Sequence, residues 1–201
     1  MPILTRLAGR CCRYCLLPLL LAWAQSVPAS ARVVDVAGVH LTDRISVAGQ
    51  PLVLNGAGLR RILFMKIYVA ALYLPERHRD PRAILDRDRP RSLRVTLLRD
   101  LSTDENIAVL KDGLVANNSP AEVEAIQPEL GRFLGYLQGV REVSAGTVIQ
   151  LDYLPGQGTR VGVDDRPLGT VPGSAFNRAL LRIWLGDDPI QTSLKDALLG
   201  G

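Results

Sequence analysis

The chain is poor in the residues that most often announce chemistry. Among 201 residues there are three cysteines and two histidines. The cysteines, Cys11, Cys12 and Cys15, all lie near the N-terminus. A domain that begins after them can form no disulfide, no thiolate metal site and no cysteine nucleophile. His40 and His78 fall in different elements without ligand spacing, so no metal site is expected and both read as polar surface positions. No G-x-S-x-G elbow occurs, which removes the sequence support for a serine hydrolase. Gly56-Ala57-Gly58 begins like a dinucleotide fingerprint, but Arg61 stands where the third glycine belongs and no helix is expected to follow. No cofactor is therefore expected. Asp164-Asp165 and Asp187-Asp188 each adjoin a turn or a proline and read as solvated loop carboxylates.

The N-terminus is where the sequence is most explicit. Arg6, Arg10 and Arg13, with no acid among them, precede an apolar run from Cys15 to Ala24. Small residues at Ala29 and Ala31 then complete an A-x-A cleavage site, so residues 1–31 read as a cleavable secretory signal. The run is about half of the roughly 20 residues a spanning helix needs, and Pro18 weakens it further. No lipoprotein cysteine follows, and no stable membrane anchor is expected after cleavage. What remains, residues 32–201, carries 21 basic against 20 acidic residues once the three signal arginines leave the total of 24. That near balance lacks the concentrated basic surface of a nucleic-acid binder. The length suits one well-buried domain. Export without disulfides suits a bacterial periplasm.

Within the domain the order is strands, helices, strands, helices. Val33–Val53 reads as short strands broken at Gly38, Asp43 and Gly49-Gln50-Pro51. Asn55-Gly56-Ala57-Gly58 reads as a flexible turn or bulge before a second strand region, Leu59–Met65. Lys66–Leu74 is nearly all apolar, with β-branched and aromatic residues, and suggests a strand covered on both faces. A short surface helix is expected within Glu76–Arg91, then a strand over Leu93–Leu98. Ser102 with Glu105 is a capping-box signature for a helix through Val115. Ser119-Pro120-Ala121-Glu122 repeats it for a helix running to Leu137, with a possible kink at Pro128. Thr147–Leu154 and Thr159–Val163 read as a hairpin, Pro167-Leu168-Gly169 as a further strand or turn, and Phe176–Leu185 and Ser193–Leu199 as helices. The absence of βαβ alternation predicts an α+β domain with a largely antiparallel sheet packed by helices.

Arg60 and Tyr68 are the candidate binding residues. Arg60 lies among Leu59 and Ile62–Met65, and Tyr68 lies inside the most apolar strand. A guanidinium takes a carboxylate bidentately and a phenol adds one directional hydrogen bond. The competing reading is that Arg60 snorkels to solvent and Tyr68 packs. Asn55-Gly56-Ala57-Gly58-Leu59-Arg60, followed by Lys66–Leu74, resembles the signature of the chalcone isomerase-like superfamily. The segments Pro172-Gly173-x-x-Phe176, Ala179–Gly186 and Leu194–Gly200 resemble its bacterial branch. The resemblance spans residues 33–200 and implies an open-faced β-sandwich, a large antiparallel sheet against a helical layer with a ligand cleft between them.

What the resemblance implies about activity is divided. The plant isomerases use the arginine matched by Arg60 together with a threonine, a tyrosine and an asparagine. Tyr68 stands in the threonine position here, and Asn106 and Gly113 stand at the other two. The fatty-acid-binding members pair that arginine with a tyrosine on the next strand, as Arg60 and Tyr68 would. The leading expectation is thus a non-catalytic exported binder of an amphipathic carboxylate such as a fatty acid. An intramolecular lyase of chalcone isomerase type, using Arg60, and an interaction protein with a vestigial cleft are the alternatives.

Overall fold

In the computed structural model, residues 32–140 and 143–201 are described; the signal segment expected at residues 1–31 lies outside them. Nine strands are formed there: β1 (Val33–Val36), β2 (Val39–Thr42), β3 (Arg44–Val47), β4 (Gln50–Ile62), β5 (Met65–Leu74), β6 (Arg91–Leu97), β7 (Val148–Leu154), β8 (Gly158–Val163) and β9 (Arg166–Val171). Strands β3 to β9 make one antiparallel sheet in which chain order is also spatial order, while β1 and β2 pair separately. The helices are α1 (Pro81–Asp86), α2 (Thr103–Asn117), α3 (Pro120–Ala125), α4 (Gln127–Gln138), α5 (Ser174–Leu185) and α6 (Thr192–Leu198).

The apolar run of β5 is explained by a core on each side of it. Tyr68, Ala70, Leu72 and Leu74 enter the main core beneath the helices, with Phe133, Phe176, Leu180 and Trp184. Val69, Ala71 and Tyr73 enter a smaller core closed by Leu41, Val47, Leu52 and Leu54. The Tyr73 hydroxyl donates to the Thr42 carbonyl at 3.0 Å and ties β2 over that second face.

Two β-bulges then decide which side chains meet the helices. On β4 the pairing steps from Leu54↔Tyr73 to Gly56↔Leu72, leaving Asn55 as the extra residue. On β5 it steps from Arg60↔Tyr68 to Arg61↔Lys66, leaving Ile67 extra. The first bulge reverses the in–out alternation of β4. Leu52 and Leu54 face the small core, yet Gly56, Gly58 and Arg60 face the helical layer. Asn55 is clamped in place: its amide donates to the His78 and Leu198 carbonyls at 3.0 and 2.7 Å, and its oxygen accepts the His78 N–H at 2.7 Å.

The structure corrects several expectations. Of the two readings of Asn55–Gly58, turn or bulge, the bulge is the one formed: Asn55 is the extra residue inside one long strand, and the glycines answer to α6. A Cβ on Gly56 would collide with the Ala197 carbonyl oxygen, and one on Gly58 would come within 2.7 Å of the Ala197 Cβ. Met65 belongs to β5, because the chain reverses at Leu63-Phe64. Pro128 does more than kink a helix. It lacks an N–H and its ring crowds the carbonyl four residues back, so the run breaks at Ile126 and Pro128 sits in the first turn of α4. Ser119 and Glu122 form the full reciprocal capping box, whereas Ser102 occupies the N-cap position of α2 without a side-chain bond to its backbone. The Asp164-Asp165 pair does lie in an exposed turn, with φ of 50° and 62°, where its carboxylates accept from the Val148 N–H and the Gln150 amide at 2.8 and 2.7 Å.

Candidate functional site

Arg60 and Tyr68 stand directly opposite each other across the β4–β5 ladder. Directly opposed residues share a face, so both side chains leave the sheet toward the helices. Tyr68 is buried, and its hydroxyl oxygen accepts a hydrogen bond from the Trp184 indole Nε1 at 3.0 Å. An indole can only donate, so the phenol keeps its own hydrogen for another acceptor. Among the described residues none lies within bonding distance of it. Burial pushes the phenol pKa up to about 12, opposed in part by the Trp184 bond and by the charge of Arg60. Tyr68 is therefore a neutral hydrogen-bond donor throughout the physiological range.

Arg60 is half-buried and meets only neutral acceptors. Its Nη1 donates to the Arg61 carbonyl at 3.0 Å and to Gln191 Oε1 at 3.2 Å. Gln191, at the N-cap position of α6, also accepts the Arg61 N–H at 2.9 Å and donates to the Leu59 carbonyl at 3.1 Å. Among the described residues no carboxylate lies within 4.0 Å of Arg60. One side chain thus positions the guanidinium while leaving its charge unneutralised.

Tyr68, but not Arg60, lines a cleft between the sheet and the helices, together with Leu97, Val109 and Leu110 of α2, Phe133 of α4 and Trp184 of α5. Its volume is about 110 Å³. Small-molecule sites more often enclose roughly 300–1,000 Å³, so this cleft has room for a short acyl segment and must open for more. A larger hollow of about 650 Å³ lies elsewhere, between α1 and the ends of α2 and α5. It is an open, polar groove whose Arg182 is already paired with Glu122 at 2.7 Å, which makes it the poorer match for an amphipathic ligand.

The other singled-out residues do not join the pair as reacting groups. Asn106 lines the cleft, but its amide donates back to the Ser102 carbonyl at 3.0 Å. Gly113 packs α2 on α5: a Cβ there would approach the Ile183 Cγ2 to 3.0 Å. His40 is exposed beside Asp35 at 3.3 Å, and His78 lies beside Glu76 at 3.4 Å. Sequence reasoning missed Trp184 and Gln191. Helical spacing marks Trp184 as apolar-face, but its hydrogen bond crosses 116 positions, and no local pattern carries that.

A seven-stranded antiparallel sheet backed by helices, with Tyr68 lining an apolar cleft and Arg60 opposite it on the neighbouring strand, defines an α+β domain. The family model for chalcone isomerase-like proteins matches residues 33–200, and the chain belongs to that family. Its structure is similar to the crystal structure of an Arabidopsis thaliana fatty-acid binding protein, with a TM-score of 0.66 at 15% identity over 84% of this chain and 96% of that one. At that identity the likeness establishes the fold alone. No curated protein sequence matches this chain.

Proposed function

We propose that this protein is an exported, non-catalytic binder of an amphipathic carboxylate such as a fatty acid. Arg60 takes the carboxylate, the Tyr68 hydroxyl donates a second hydrogen bond to it, and the acyl chain enters the cleft beneath α2 and α4. The observation that carries this reading is the pairing, across the β4–β5 ladder, of an arginine lacking a carboxylate partner with a phenol that lines an apolar cleft and whose hydrogen is unused. A buried carboxylate is costly unless paired and hydrogen-bonded, and this constellation supplies both. The Arabidopsis neighbour of the same fold is a fatty-acid binding protein. The isomerase reading keeps Arg60 alone, since Asn106 is bonded within its own helix and Gly113 packs against Ile183.

Trp184 reports on the site directly, because the only other tryptophan, Trp23, lies in the expected signal segment. Titrating a medium-chain fatty acid should perturb its fluorescence, and the methyl ester should bind more weakly. Charge-assisted bonds are worth roughly 1.5–3 kcal/mol each, so Arg60→Ala should cost about tenfold to a hundredfold in acid affinity and little in ester affinity. Arg60→Lys should restore only part of it, because the bidentate fork is gone. Chalcone should cyclise at its uncatalysed rate. Equal binding of acid and ester would remove Arg60 from the head-group role, and turnover lost in Arg60→Ala would make the protein an isomerase.

A further inference from the structure

The β4–β5 hairpin that carries Arg60 and Tyr68 ends in four consecutive exposed apolar residues, of which the two at the apex are almost bare. Ile62 and Met65 are 44% and 45% exposed, Leu63 is 85% exposed and Phe64 is 100% exposed. Turns between strands ordinarily use Asn, Asp or Gly. Here Leu63 itself holds a left-handed φ of 53°, a conformation unfavourable for a branched apolar side chain. Neither folding nor turn geometry accounts for apolar residues at this apex. The charges around it all have one sign. Between Asp43 and Glu76 the sequence contains no acid, and Arg61 and Lys66 face each other across the ladder immediately behind the tip. Arg99 is exposed beside them, its guanidinium against the Met65 sulfur. Among the described residues none of these three cations has a carboxylate within 4.0 Å. The next acid in the chain, Asp100, accepts the Ala145 N–H at 2.9 Å.

We propose that this hairpin tip docks the protein on the surface of a bilayer containing anionic phospholipid, with Leu63 and Phe64 entering the interface and Arg61, Lys66 and Arg99 contacting head-group phosphate. Apolar side chains ringed by cations are the combination that holds a peripheral element at an anionic interface, where burial and charge attraction add. Charge selects this occupant. A second copy of the chain would bring the same cations to the same contact and repel. No described helix is long and apolar enough to cross a membrane. The contact does not depend on what the cleft holds, although Arg60 lies only two residues from Ile62 and a lipid leaving the surface would have a short way to travel.

The test is co-sedimentation of the protein with phosphatidylglycerol–phosphatidylcholine vesicles and with phosphatidylcholine alone. Partitioning should fall about tenfold or more on omitting the anionic lipid, in high salt, in the Leu63→Ser/Phe64→Ser double variant and in Arg61→Gln/Lys66→Gln. Phe64→Trp should shift its emission to the blue on the anionic vesicles and be quenched by lipids brominated on the acyl chain. Thermal unfolding of the serine variant should match the parent, since the side chains removed contact little. Unchanged partitioning of the serine variant, or no quenching of Trp at position 64, overturns the proposal. Self-association abolished by Phe64→Ser without any vesicle binding would also overturn it and assign the tip to a second copy. Fatty-acid affinity measured on the serine variant separates this result from the cleft's.

Discussion

The Trp184 indole nitrogen and the Tyr68 hydroxyl oxygen are joined by a 3.0 Å hydrogen bond between α5 and β5, and the direction of that bond determines what Tyr68 can offer a ligand. Because Trp184 donates, the phenol is oriented as an acceptor toward the helix and as a donor toward the cleft. Tyr68→Phe should therefore have two effects. It strands a buried N–H, which costs about 1–3 kcal/mol of stability, measurable by urea denaturation. It also removes one hydrogen bond to the carboxylate, for a loss of about 1 kcal/mol in acid binding. Wild-type stability in Tyr68→Phe would mean that the Trp184 N–H finds another partner.

Gly56→Ala tests whether α6 rests on the β4 backbone. The added methyl group has no space beside the Ala197 carbonyl, so α6 must shift. Overpacking of this kind costs about 1–3 kcal/mol. Gln191 leads into α6 and positions Arg60, so acid affinity should fall alongside the melting temperature. Gly146→Ala serves as a control only for backbone strain, since φ is +93° there and nothing lies within 4 Å of the added atom. A melting temperature for Gly56→Ala equal to that of wild type would refute the close packing.

How much of this was legible in the sequence depends on whether the cause was local. The two-faced burial of β5, the Ser119–Glu122 box and the apolar face of α5 were readable because periodicity and capping act over a few residues. The Asn55–Gly58 stretch reads as turn or bulge because glycine marks both, and the choice of the bulge rests on α6, some 140 positions later in the chain, for which these glycines make room. The hairpin at Leu63-Phe64 reads as continuous strand in the sequence, since its residues carry no turn chemistry. The Arg60–Tyr68 pair was visible as residue types, but its support from Trp184 and Gln191 exists only in three dimensions.

Glu122 should contribute a measurable acid transition. Its carboxylate accepts from Arg182 and from the Ser119 backbone and hydroxyl, which holds its pKa down to about 2, against 4.5 ordinarily. A depressed folded-state pKa adds stability that is complete above the ordinary value and is lost as pH falls from about 4.5 toward 2. About half the side chain is exposed, so solvent screening limits the contribution to about 1 kcal/mol. Glu122→Gln should lower stability at neutral pH by that amount and flatten its slope below pH ~4.5. An unchanged slope would show that other carboxylates carry the acid response.

If the proposed signal is removed, the mature chain should begin at Arg32 or within a few residues of it. Cleavage after Ala31 would convert the Arg32 nitrogen, 2.9 Å from Asp43 Oδ1, into an ammonium facing a carboxylate. This exposed pair is worth about 0.2–1 kcal/mol, so Asp43→Asn should cost no more than that in the processed protein. Intact mass and N-terminal sequencing of material from the periplasm decide the matter: retention of Met1 would exclude a cleaved signal.

The bulge at Asn55 makes the binding face of β4 a matter of counting. Every residue from Gly56 to Ile62 owes its side of the sheet to one unpaired position, and a strand's alternation has no memory beyond that count. Deleting a single residue between Asn55 and Arg60, with the bulge kept, would carry the arginine to the opposite surface, away from Tyr68, while every letter of the motif after it stayed the same. Substitutions at Asn55 only loosen the clamp; a change in length reassigns the face. For relatives of this chain, the spacing between Asn55 and Arg60 is thus as diagnostic of the proposed head-group pair as the arginine itself.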